Sequence, residues 1–297
     1  MVSVVGLGTN NFGMRIDEQK SAAVVHAALD AGITHFDSAE MYGGGHSEEF
    51  LGRALGKHRN EVVIATKVLP RPRDQEYKPG ALAQRIREGC ELSLRRLGTD
   101  HIDLYYQHYP DADAPMDEAL TAFEALTKDG KVLHVACSNY SAKQMEEASE
   151  VSTKEGYTRF CANQVEWSLL KREIEKEVVP AARQMAMSIV PYFPLASGLL
   201  TGKYHHGEEF PEGTRLASSP YFAGIATDEN FAYVDRLTKC ADSLGHSILD
   251  LAFAWLLAQD GVPSVIAGAT TPEQVKANVA AAKWEMTPEQ VAGVPSL

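Results

Sequence analysis

The 297-residue sequence predicts an α/β protein, a (β/α)8 TIM barrel folded as one domain over residues 1–297. Three observations predict it. Eight short runs rich in β-branched residues recur along the chain, longer segments with helical apolar spacing separate them, and no linker or low-complexity stretch interrupts the series. A barrel of roughly 250 residues fits this length.

The strand candidates are, in order, Val2 to Val5, Thr34 to Phe36, Val62 to Thr66, Ile102 to Gln107, Val132 to Cys137, Cys161 to Val165, Ser188 to Tyr192 and Pro263 to Ala267. Helix signals lie between them. Asp17 supplies a short polar N-cap for the stretch carrying Ala22, Ala23, Val25 and Leu29, and Gly32 stops it. Ser141 opens the helix after the fifth strand, and Thr271-Pro272 opens the one after the eighth. A doubly wound open sheet would show the same alternation, with G-x-G-x-x-G after its first strand. Gly6-Leu7-Gly8-Thr9 does not continue that pattern. The segment from about 193 to 227 is rich in Gly, Pro, Ser and aromatics and far exceeds the ~2–6 residues of an ordinary βα loop, which marks it as functional.

A net charge of −12, from 28 Lys and Arg against 40 Asp and Glu, argues against nucleic acid or an anionic membrane as partner. A phosphate pocket built from local cations remains compatible with it. Cys90, Cys137, Cys161 and Cys240 are scattered without a C-x-x-C, so neither a metal site nor a redox dithiol is expected. No signal-type segment and no apolar run of ~20 residues is present, and a cytoplasmic location is expected. No pattern specifies an oligomeric state.

Four ionisable residues fall at or just beyond the ends of successive strands: Asp37, Tyr42, Lys67 and His108. In a parallel barrel these ends open on one face, where reacting groups of such enzymes are placed. Each residue alone is more often structural. Together they suggest proton chemistry.

The stretch Ala31-Gly32-Ile33-Thr34-His35-Phe36-Asp37-Ser38-Ala39-Glu40-Met41-Tyr42-Gly43, then Lys67 and His108, resembles the aldo-keto reductase superfamily. Ser138-Asn139, Gln164, Tyr192-Phe193-Pro194-Leu195 through Gly202-Lys203-Tyr204, and Gly268-Ala269-Thr270 extend the match in order over nearly the whole chain. The pattern is most similar to the bacterial and potassium-channel β-subunit branch. The resemblance implies hydride transfer from NADPH to an aldehyde or ketone, with Tyr42 donating a proton to the carbonyl oxygen. Lys67 would lower the phenol's pKa, Asp37 would hold Lys67, and His108 would hydrogen-bond the substrate oxygen. Family members usually open with a β-hairpin under the barrel. Here the chain enters almost directly at Val2, so either the native chain starts upstream of Met1 or the hairpin is lacking and the floor is more exposed, at a cost in stability rather than in chemistry.

For the cofactor, the resemblance implies Ser138, Asn139 and Gln164 at the nicotinamide carboxamide and Tyr192 stacked on its ring. Thr9 and Asn10 are further cofactor-binding candidates. Pro194, Leu195, Gly198 and Leu200 belong to a loop over the pyrophosphate, with Lys203 and Arg215 supplying charge, and Gly268, Thr270, Gln274 and Asn278 lie at the adenosine end. Thr270 and Gln274 stand where other branches carry Arg or Lys, and Ala277 replaces a Glu. These departures count against NADP(H), which is still the preferred cofactor on the strength of Lys203 and Arg215, with NAD(H) as the alternative. The substrate is a small-molecule carbonyl, and Phe12, Tyr109, Tyr221 and Phe222 are candidates for an aromatic pocket wall. Two rival functions retain the barrel: an NADP(H)-binding redox sensor or regulatory subunit with little turnover, and a Schiff-base aldolase or isomerase acting through Lys67.

Overall fold

The computed structural model describes residues 2–72 and 74–295. Eight parallel strands close into a barrel in sequence order: β1 Val5–Gly8, β2 His35–Asp37, β3 Val63–Val68, β4 Ile102–Gln107, β5 Val132–Ser138, β6 Ala162–Glu166, β7 Ser188–Tyr192 and β8 Val265–Gly268. β1 closes the ring against β8 with Val5 opposite Val265. Helices α1 Glu18–Asp30, α2 His46–Leu55, α3 Ala81–Leu97, α4 Met116–Lys128, α5 Ala142–Glu155 and α6 Val178–Gln184 follow the first six strands. The long segment after β7 contains two short turns of helix, α7 Arg215–Ser218 and α8 Pro220–Ala223, before α9 Asp228–Ser243 and α10 Ile248–Leu257. α11 Pro272–Ala281 and α12 Pro288–Ala292 follow β8.

The cap residues read from the sequence do their work. Asp17 accepts a hydrogen bond from the Lys20 amide at 2.9 Å, Ser141 forms a capping box with Gln144, and Thr271 caps α11 with Pro272 behind it. The main departure is β1, which starts three residues later than the run Val2 to Val5 suggests. Gly6 and Gly8 belong to the strand because β8 presses close: a Cβ on Gly6 would stand 2.4 Å from Cδ1 of Ile266. Val4 is left 51% exposed, and the lead-in is tied instead through the Ser3 amide to Thr34 Oγ1 at 2.9 Å.

Inside the barrel Ala65, Tyr106, Ala136, Ala162, Val190 and Ile266 pack as one layer, while the larger apolar core lies between strands and helices. At the floor His35 is buried, with Nδ1 3.0 Å from Ser264 Oγ, so this part of the barrel bottom is filled rather than open. Burial lowers the His35 pKa to about 4, keeping the ring neutral.

Candidate active site

The ends of β2, β3 and β4 bring the four candidate residues together. Asp37 is the last residue of β2, Lys67 lies within β3, and His108 follows β4 directly. Alternation decides which way they face: on β3, Ala65 lines the barrel interior and Lys67, two residues on, points the same way. Tyr42 begins a single tight turn before α2.

Lys67 is fully buried. Its ammonium donates to Asp37 Oδ2 at 2.6 Å and to the Ser38 carbonyl at 2.7 Å. The second carboxylate oxygen accepts from Gln164 Nε2 at 2.8 Å. Burial pulls the Lys67 pKa down, and the Asp37 charge opposes that pull. The ammonium lies 5.3 Å from the centre of the Tyr42 ring. Tyr42 meets His108 edge to face, with ring centres 6.1 Å apart.

The sequence suggests that Lys67 lowers the Tyr42 pKa, and here the structure differs. The phenol is pushed up from its usual value, first by burial and then by the charge of Asp37, with Arg215 pulling the other way. Asp37 already meets the lysine's charge, so desolvation wins and the phenol keeps its proton at neutral pH. His108 moves down to about 3, through burial and then Lys67, and is a neutral imidazole. Its Nδ1 is buried without a hydrogen-bond partner among the described residues.

The expected carboxamide-binding residues converge, but on each other. Ser138 Oγ donates to the Gln164 carbonyl at 2.8 Å, Asn139 Nδ2 donates to the His108 carbonyl at 3.0 Å, and Tyr192 Oη donates to Asn139 Oδ1 at 2.9 Å. Asn139 takes a left-handed backbone, φ 61°, to turn its amide this way. A bound carboxamide would exchange partners with this set. Thr9 is fully buried, and its hydroxyl donates to the Asp37 carbonyl at 3.0 Å; it holds β2 and has no free face for a ligand.

On the β7 side, Phe193, Ala196 and Ser197 all have positive φ, as does Gly198 at 101°. This strained turn places Pro194, Leu195 and Gly198 at the rim. Leu200 is fully buried. Arg215 lies over the rings of Phe193 and Phe222, at 5.2 Å and 5.1 Å, and donates to Asn10 Oδ1 at 3.4 Å and Asn11 Oδ1 at 3.2 Å. Burial, then the like charge of Arg15, lowers its pKa. Two guanidinium groups held in mutual repulsion, with Lys203 beside the same turn, make a donor set that fits a phosphorylated cofactor. Arg15 and Asn11 had no motif to announce them; their part comes from a loop closing on a segment about two hundred residues away in sequence.

At the far end, Gln274 Oε1 accepts from the Thr270 amide at 2.7 Å and from its hydroxyl at 3.1 Å. Gly268 is exposed beside Asn10 and Asn11, and Asn278 is buried on α11. Phe12 does not wall the pocket: it is fully buried in the helix-packed core. Tyr109, stacked on His108 with centres 4.8 Å apart, and the strongly exposed Tyr221, in edge contact with Phe222, do stand at the mouth. Among the described residues no cluster of ligands for a metal ion occurs, and no helix is long and apolar enough to cross a membrane.

Comparison with known proteins identifies the family. "Uncharacterized oxidoreductase YrpG" of Bacillus subtilis (strain 168) is 34% identical over 299 residues, covering 97% of this chain and 90% of that protein. "Aldo-keto reductase YhdN" of the same organism is 35% identical, covering 97% and 87%. A "Putative voltage-gated potassium channel subunit beta" of Schizosaccharomyces pombe (strain 972 / ATCC 24843) is 35% identical, covering 94% and 83%. The profile of the Aldo/keto reductase family matches residues 4–297, essentially the whole barrel, and the chain belongs to that family of NAD(P)H-dependent oxidoreductases.

Proposed function

We propose that the protein reduces an aldehyde or ketone to the alcohol, with Tyr42 as the proton donor and NADP(H) as the preferred cofactor. The observation that carries this reading is the convergence of Tyr42, the buried Lys67–Asp37 pair and neutral His108 at the C-terminal mouth of the barrel. The nicotinamide cofactor, when bound, supplies the hydride. Tyr42 holds a proton that burial keeps on the phenol until negative charge develops on the substrate oxygen. After transfer, the phenolate faces the Lys67 ammonium, 5.3 Å from its ring centre, in a desolvated site where that attraction is strengthened. His108, uncharged, donates an N–H to the same oxygen without competing for the proton.

Arg215, Arg15 and Lys203 would hold the cofactor's phosphates, Tyr192 its ring, and Ser138, Asn139 and Gln164 its carboxamide. The aromatic mouth at Tyr109, Tyr221 and Phe222 favours a carbonyl carrying an apolar group. Lys67 as a Schiff-base nucleophile fits poorly, since its nitrogen is fully buried and held by Asp37 and Ser38. A second reading, a cofactor-binding sensor with little turnover, draws support from the relative named as a channel subunit.

The test is an NADPH-oxidation screen over aldehydes, ketones and keto-sugars with the product alcohol identified. Turnover of a carbonyl that is lost in Tyr42→Phe supports reduction. Tight cofactor binding with no turnover on any compound supports the sensor.

A further inference from the structure

Tyr42 stands at the head of an unusually permissive backbone. Gly43, Gly44 and Gly45 follow it in succession with φ of 57°, 66° and 104°, three left-handed residues that bring no side chain of their own to anchor the turn. Something outside the turn must fix the phenol. Arg96, on the last turn of α3, reaches across and donates from one nitrogen, Nη1, to the Glu40 carbonyl at 3.1 Å and to Glu48 Oε2 at 3.3 Å. Glu40 precedes Tyr42 and Glu48 follows it, so one guanidinium ties both ends of the turn. Its carbon lies 2.3 Å from where a Cβ on Gly45 would stand, and only glycine there leaves it room.

Glu48 is fully buried. Its other oxygen, Oε1, accepts from Thr66 Oγ1 at 2.6 Å, and Thr66 is the residue before Lys67 on β3. The chain of contacts therefore runs from the strand carrying the ammonium, through Glu48 and Arg96, to the backbone carrying the phenol. A buried ion pair of this kind is weak evidence for stability.

We infer that Arg96 and Glu48 are positioning residues that set the Tyr42 phenol against Lys67 and His108, acting on proton transfer through Tyr42 alone. This rests on the reading of Tyr42 as the proton donor. A misplacement of about 1 Å in such a group costs roughly 100-fold in rate.

The test compares Arg96→Lys and Glu48→Gln, in the full chain, alone and combined with Tyr42→Phe, by single-turnover oxidation of bound NADPH with a carbonyl substrate. Each single variant is expected to slow the step at least about tenfold with a larger solvent isotope effect, and cofactor affinity within about twofold of the parent. Combined with Tyr42→Phe, each is expected to add nothing further, because a group acting through Tyr42 has nothing left to position. Unchanged rates and isotope effects, or a slowing that multiplies with that of Tyr42→Phe, would overturn the inference. If a charge-altering variant does not fold, Thr66→Val decides, since it removes only the hydroxyl that joins Glu48 to β3: a slower step with a larger isotope effect supports the inference, and the parent's values overturn it. Should Tyr42→Phe itself keep the parent rate, the proton-donor reading fails first; if it loses the rate while the other variants keep it, only the positioning role fails.

Discussion

Replacing Asp37 with Asn isolates the buried charge pair at the centre of the site. Asp37 uses both oxygens as acceptors, one for Lys67 at 2.6 Å and one for Gln164 at 2.8 Å. Asparagine offers one acceptor and one amide. Whichever way it turns, an N–H group faces another donor. The ammonium, fully buried, also loses its counter-charge, and stranding one partner of a buried pair costs about 3–5 kcal/mol. At roughly 2–4 °C per kcal/mol, the midpoint of thermal unfolding should fall by about 6–20 °C.

The deficit should depend on pH in a defined direction. Burial already holds the Lys67 pKa below that of the unfolded chain, and without Asp37 it drops further. Between that lowered value and the unfolded value of about 10.4, the unfolded state binds the extra proton, so stability rises as pH rises. Urea unfolding of both proteins from pH 6 to 9.5 measures this. The variant's deficit should shrink toward alkaline pH. A deficit that is constant with pH, or that grows, would refute the claim that an uncompensated ammonium is its cause.

Further predictions concern the floor, the cofactor and the helix layer. His35 and His108 are both held neutral, near 4 and 3, so below about pH 6.5 the unfolded chain binds protons the folded one does not, and stability should fall with acid by up to ~1.4 kcal/mol per pH unit for each; urea midpoints at pH 7 and 5 check this, with His35→Gln flattening the slope. Arg215→Ala should weaken NADPH about tenfold or more, and NADH less, in fluorescence titrations; equal weakening of both would remove Arg215 from cofactor choice. Gly52→Ala should destabilise by at least ~1–3 kcal/mol in urea unfolding, because its Cβ would stand 2.2 Å from the Leu97 carbonyl oxygen, a backbone atom that cannot turn aside.

What the sequence disclosed, and what it hid, follows from the range of the interactions. Lys67 and His108 were legible because each ends or follows a strand-like run, and alternation then aims them into the barrel mouth. The capped helix starts were legible because Asp17, Ser141 and Thr271 act on amides only three residues away. β1 was misplaced since Val2 to Val5 have the stronger strand propensity, while Gly6 and Gly8 join the strand for their lack of a side chain against Ile266. Phe12 read as a pocket aromatic because nothing local shows that its loop turns inward. The direction of the Tyr42 shift depends on burial and on Asp37 neutralising Lys67, neither visible in spacing. Nothing in the sequence singles out Arg96 and Glu48, whose meeting is set by the packing of α2 against α3.

The central claim is that Tyr42 delivers the proton, and the single-turnover rate of Tyr42→Phe on a carbonyl the parent reduces tests it most directly. The account predicts a fall of roughly 10²–10⁴-fold with cofactor affinity unchanged; a rate within a few-fold of the parent would contradict it.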